Sequence, residues 1–117
     1  MKNLCTLRDI YHALAEVESV FHKKHNLCLN EAMIICSLKE GRMASGEIAG
    51  LLNLTCSNTS KLLRSIEEKG FVERDLGEKD KRQMYFSLTK AGVQKLISLE
   101  VENLELPEIL SKLIKEN

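Results

Sequence analysis

Apolar residues recur along this chain at two different periods. From residue 4 to 25, Leu4, Leu7, Ile10, Leu14, Val17 and Phe21 follow one another at steps of three or four, a helical stripe close to heptad spacing that Asn26 is placed to end. Asn30 is a candidate N-cap for a second helix with Ala32, Met33, Ile35, Cys36 and Leu38 inward, and Gly41 stands where a C-cap glycine is expected. Ser45 opens a short third helix to Leu52, with Ile48, Ala49, Leu51 and Leu52 inward. Asn53 and Leu54 make a brief turn. Thr55 then caps a fourth helix that carries Leu62, Leu63 and Ile66, runs to Lys69 and stops at Gly70. Two helices joined by so short a turn make a helix-turn-helix pattern.

After Gly70 the period changes. Phe71 to Arg74 reads as a short strand, Leu76 to Arg82 as a charged turn, and Gln83 to Leu88 as a returning, alternating strand. Arg42-Met43-Ala44 offers a small third strand. Thr89 caps a fifth helix with Val93, Leu96, Ile97, Val101 and Leu104. Pro107 suits the first turn of a last helix bearing Leu106, Ile109, Leu110, Leu113 and Ile114. The expected fold is therefore mainly α (α+β): one winged helix-turn-helix domain over residues 1–117, with a small antiparallel hairpin as wing. Residues 30–92 form the core, and 1–28 with 93–117 supply terminal dimerisation helices.

Charge qualifies this picture. The chain has 17 basic and 17 acidic residues and no formal net charge, whereas many nucleic-acid binders are strongly basic. Residues 55–92 carry the only basic excess, so any binding to DNA must come from the placement of charges. The first turns of the fourth helix read Cys56-Ser57-Asn58-Thr59-Ser60-Lys61. These small hydrogen-bonding side chains suit close approach to base edges, and Lys61 and Arg64 share a face. The charged turn holds Lys79, Asp80, Lys81 and Arg82, a basic tip able to enter a minor groove. A capped solvated helix and an ordinary charged turn would read the same way one by one. What raises the DNA reading is their order: helix-turn-helix, then hairpin.

Residues 45–92 resemble the MarR family of bacterial regulators. Three segments carry the resemblance: Gly46 to Leu52, Ile66 to Arg74, and Asp80-Lys81-Arg82 followed by Ser87-Leu88-Thr89-Lys90-Ala91-Gly92. The last is similar to the family's Asp-x-Arg wing and Leu-Thr-x-x-Gly helix start. The resemblance implies a cytoplasmic homodimeric regulator on palindromic double-stranded DNA, acting as a repressor. Ser57, Asn58, Thr59, Lys61 and Arg64 would serve the major groove. Arg82 would enter the minor groove with Asp80 holding it, Lys79 and Lys81 beside it, and Arg74 would steady the wing or a phosphate. The fifth helix is shorter before Pro107 than is usual in the family, which bears on the family's effector pocket.

Other constellations are weaker. His22, His25 and Cys28 are spaced by three, but three unrelated residues at a helix end are the simpler reading, and no metal or cofactor is expected. Cys56 falls at a helix N-terminus, where a thiolate is favoured, and Cys5 lies in the first helix. Both leave room for a redox effector beside a small-molecule one. The four cysteines form no CxxC pair and follow no signal-peptide pattern, so free thiols in a reducing cytoplasm are expected. No apolar run approaches the ~18 residues of a membrane helix. No phosphate loop, catalytic triad or HExxH motif points to an enzyme. The competing reading is a winged helix used for protein–protein contacts, which neutral charge favours and the Asp80–Arg82 wing disfavours.

Overall fold

The computed structural model describes residues 2–76, 84–102 and 104–114. The chain divides into two compact units, residues 1–29 with 103–117, and residues 30–102.

The first unit is built on helix α1, Lys2–His25. Asn26 ends it in the left-handed region (φ 55°), its N–H donating to the His22 carbonyl at 2.8 Å. Asparagine tolerates that conformation better than most residues. His22, Lys23, Lys24 and His25 occupy the last turn, where the helix dipole favours positive charge. Ala13 and Val17 pack against Leu110, with Ile10, Leu29, Leu106 and Ile109 around them. Glu18 accepts a hydrogen bond from the Leu29 N–H at 2.8 Å and so satisfies one of the open donors at the next helix start.

The last helix is shorter than its apolar pattern predicts. It spans only Glu108–Ser111, with Pro107 at the N-cap rather than inside the first turn. Leu113 and Ile114 lie beyond it and are exposed. Leu4, Leu7, Tyr11 and Leu14 on α1 are exposed as well. The apolar period is present in sequence, but within one chain only Ala13, Val17 and Phe21 of α1 become buried.

The second unit runs α2 (Leu29–Ser37), a 3₁₀ turn (Leu38–Glu40), β1 (Met43–Ala44), α3 (Ser45–Leu52), α4 (Cys56–Glu68), β2 (Val72–Leu76), β3 (Met84–Leu88) and α5 (Lys90–Glu100). The last helix, Glu108–Ser111, is α6. The sheet is antiparallel in the order β1-β3-β2, with Met43 opposite Phe86 and Val72 opposite Leu88. The small third strand expected at residues 42–44 is thus present at Met43–Ala44. Ile34, Ile35, Leu38, Ala44, Ile48, Ala49, Leu63, Ile66, Val72, Phe86 and Leu96 are buried in this unit.

Three inward faces differ from expectation. On α2 the buried residues are Glu31, Ala32, Ile34 and Ile35, while Met33 and Cys36 are exposed. A reading that counts only apolar residues misses the face because it includes a carboxylate. On α3 the stripe passes from Ile48 and Ala49 to half-buried Leu52, leaving Leu51 61% exposed. On α5, Leu96 is buried, but Val93 and Ile97 are exposed.

Candidate nucleic-acid interface

The turn between α3 and α4 depends on two local devices. Asn53 adopts a left-handed conformation (φ 55°, ψ 47°), and the Leu54 N–H reaches back to the Ala49 carbonyl at 2.9 Å. Thr55 is extended (φ −69°, ψ 157°), and its hydroxyl oxygen accepts from the Asn58 N–H at 3.0 Å, an N-cap that satisfies an open donor of α4. The chain therefore turns sharply and restarts a helix within three residues. Glu47 does the same work for α3, its carboxylate accepting from the Ala44 N–H at 3.0 Å.

Helix α4 has two distinct faces. Thr59, Leu63 and Ile66 are buried, while Ser57, Asn58, Ser60, Lys61 and Arg64 are exposed. Four of the five helix positions expected to meet DNA thus share solvent access. Thr59 does not join them. It is 1% exposed, and its hydroxyl donates to the Thr55 carbonyl at 2.8 Å, so its polarity is consumed inside the first turn. Its i+4 relation to Leu63 places it on the packing face, which a reading by residue type could not see. Cys56, the first residue of α4, is exposed, as are Cys5 and Cys36.

The C-terminal half of α4 is held from two sides. Buried Glu31 on α2 accepts from the Ser65 hydroxyl at 2.7 Å and from the Lys69 ammonium at 3.0 and 3.3 Å. On the other side, Arg74 of β2 forms a two-pronged pair with Glu67, its Nε donating to Oε2 at 2.8 Å and its Nη2 donating to Oε1. This hydrogen bond holds the Glu67 carboxyl below the usual glutamate range, helped by the fields of Arg74 and Arg64, and raises the Arg74 guanidinium further. Arg74 thus joins the sheet to α4. Its guanidinium also lies 5.8 Å from the centroid of Phe86.

Helix α4 ends in a two-bond left-handed cap. The Gly70 N–H meets the Glu67 carbonyl at 2.9 Å and the Phe71 N–H meets the Ile66 carbonyl at 3.0 Å, with Gly70 at φ 85°. The strands return to the same place. Thr89 caps α5 by accepting from the Gly92 N–H at 3.0 Å, and its hydroxyl donates to the Gly70 carbonyl at 2.6 Å. Arg42, which the sequence did not single out, crosses the sheet: it pairs with Asp75 at 3.2 Å and lies 4.5 Å over the Tyr85 ring. Lys79, Asp80, Lys81 and Arg82, expected at the wing tip, lie outside the described residues.

The histidine–cysteine constellation is not drawn together. The His25 ring lies against Phe21, tilted by 42° with 4.7 Å between ring centroids, and among the described residues no group of three or more His, Cys, Asp or Glu is placed to hold a metal ion. Among the described residues no helix is long and apolar enough to cross a membrane.

Residues 27–92, more than half of the chain, match the profile of the winged helix DNA-binding domain. The chain belongs to that family. This winged helix chain is 28% identical over 111 residues to the HTH-type transcriptional regulator YwoH of Bacillus subtilis, covering 88% of this chain and 80% of that one. The transcriptional regulator BldR of Sulfolobus solfataricus has a similar fold, with a TM-score of 0.75 and 24% identity over 96% of this chain and 76% of its own. A mutant MarR from E. coli, solved in complex with operator DNA, gives a TM-score of 0.72 at 18% identity over 83% of this chain and 72% of that one. The MarR resemblance carried by three sequence segments is therefore accompanied by a shared fold over 83% of this chain. The chain carries a winged helix DNA-binding domain and shares the fold of MarR.

Proposed function

We infer that this regulator binds double-stranded DNA sequence-specifically as a homodimer on a palindromic operator in the cytoplasm, and that it acts as a repressor. The observation that carries this reading is the division of α4. Its packed face and both C-terminal anchors fix the helix, while Ser57, Asn58, Lys61 and Arg64 are exposed on one side. A helix with small polar residues at its N-terminal end fits a major groove and can meet base edges there. Lys61 and Arg64 would meet phosphates. Arg82, with Asp80 beside it and Lys79 and Lys81 nearby, would reach the minor groove, while Arg74 holds the wing to α4. The MarR mutant crystallised with operator DNA supports this docking mode by its fold.

Dimerisation is supported by the apolar residues that the first unit leaves uncovered. Leu4, Leu7, Tyr11, Leu14, Leu113 and Ile114 are all exposed in the single chain. Such a patch on a small protein marks an interaction surface. A regulator reading a palindrome has a use for a second copy, because protein and operator then share a two-fold axis.

The test starts with selection of bound duplexes from a random pool, then titrates salt against the enriched duplex and a scrambled one. With about 6–10 phosphate contacts per dimer, affinity is expected to fall about 10³–10⁵-fold between about 50 and 200 mM salt. Lys61→Ala is expected to flatten that slope. Ser57→Ala and Asn58→Ala are expected to erode discrimination between the two duplexes, because base contacts specify whereas phosphate contacts position. Equal affinity for both duplexes at every salt concentration would defeat this reading in favour of a protein-contact module.

A further inference from the structure

We propose that Glu31 is a positioning residue for DNA recognition, a buried carboxylate on α2 that sets the orientation of α4 through Ser65 and Lys69. The proposal rests on the reading of α4 as the recognition helix, and extends it to a residue with no access to DNA. Glu31 is 4% exposed, yet it is ionisable and lies among the apolar residues of α2. Both of its carboxylate oxygens are engaged. Oε2 accepts from the Ser65 hydroxyl at 2.7 Å and from the Lys69 ammonium at 3.0 Å, and Oε1 lies 3.3 Å from the same ammonium.

Ser65 lies in α4 and Lys69, four positions on, is its C-cap residue, so the carboxylate grips the end of α4 along its axis at two successive levels. This geometry resists both rotation and sliding of α4. Apolar packing at Leu63 and Ile66 is much less directional, since neighbouring rotations would bury almost the same area. Charge-assisted hydrogen bonds, by contrast, weaken steeply with misalignment.

Orientation matters because the exposed end lies far from the grip. Asn58 is seven residues from Ser65, about 10 Å along a helix. A tilt of about 10° at the grip would carry the N-terminal turn sideways by about 2 Å, enough to break hydrogen bonds to base edges. The triad also has an energetic signature that separates positioning from stability. A buried ion pair loses most of its Coulomb gain to desolvation, so well-packed apolar replacements of similar size are often neutral or stabilising. An apolar triad is therefore expected to keep the fold while relaxing the helix.

The experiment compares wild type, Glu31→Gln and the triple variant Glu31→Leu/Ser65→Ala/Lys69→Met. Each is titrated with the duplex enriched by wild type and with a scrambled duplex, and α4 amide hydrogen exchange is followed in the DNA-free proteins. The triple variant is expected to melt no lower than wild type, to exchange faster in α4, and to lose about tenfold in discrimination, the size of one good base contact. Its salt slope should stay unchanged, because no phosphate-facing charge is removed. Glu31→Gln keeps an acceptor for Ser65 but not the charge facing Lys69, and is expected to fall between. It also keeps the question answerable if the triple variant fails to fold. Unchanged discrimination or unchanged exchange in the folded variants would overturn the proposal. Failure of wild type itself to discriminate would instead refute the DNA reading, and the exchange measurement alone would then decide whether Glu31 holds α4.

Discussion

Replacing Gly92 by alanine tests whether the start of α5 is seated directly on the chain that leaves α4. A Cβ built at Gly92 would lie 2.0 Å from the Phe71 carbonyl oxygen, 3.0 Å from its carbon and 3.2 Å from Leu88 Cδ2. The first of these is more than 1 Å short of an ordinary contact, 3.4 Å or more. The obstacle cannot rotate away, because it is backbone and its oxygen accepts from the Thr89 N–H at 3.1 Å. Relief requires α5 to move off the segment that joins α4 to the wing, at the expense of the Thr89 cap. Overpacking of this kind costs about 1–3 kcal/mol, toward the upper end here because backbone must shift. Alanine's better helix propensity returns up to about 1 kcal/mol. A net loss of about 2 kcal/mol follows, or about 8 °C in Tm for a chain of this size. Urea and thermal unfolding measure it, with Gly50→Ala as control. Gly50 lies within α3 with nothing within 4 Å of its Cβ position, so that change is expected to be neutral or stabilising by up to about 1 kcal/mol. A Gly92→Ala protein that melts at or above wild type would refute the reasoning.

Two further outcomes are expected. The Glu67–Arg74 pair lowers the Glu67 pKa in the folded protein, so its stabilisation is present above the ordinary glutamate value of about 4.3 and is lost as pH falls through the lowered one. Since the pair is largely exposed, Arg74→Ala is expected to cost less than about 1 kcal/mol at neutral pH, and the difference from wild type should vanish in acid-unfolding series below the carboxylate range. In the first unit, Leu7→Asp with Tyr11→Asp places charge on the uncovered face of α1 without touching Ala13, Val17 or Phe21. Sedimentation is expected to show loss of the dimer with helical content retained, whereas an unchanged sedimentation coefficient would count against that face as the dimer contact.

Most of what local patterning controls was readable in the residues. The helix-turn-helix pair, its Thr55 cap, the stop at Gly70, the switch to a two-residue period after it and the Thr89 cap are short-range signals, each written within a few positions of the structure it produces. The candidate face of α4 was legible in large part for the same reason. Ser57, Asn58, Lys61 and Arg64 are exposed as their polarity suggests.

Tertiary structure decided what polarity alone leaves ambiguous. Thr59 and Ser60 are adjacent small hydroxyl residues, and only the helix packing turns the first inward and leaves the second in solvent. Glu31 looks like a solvated charge at a helix start. Its burial follows from partners 34 and 38 positions away, a pairing that no local pattern encodes. The long apolar stripes of α1 and the last segment read as dimerisation helices, and one chain covers only part of them. Hydrophobic periodicity states which residues gain from burial, whereas the availability of a surface to bury them against is a property of the assembled fold.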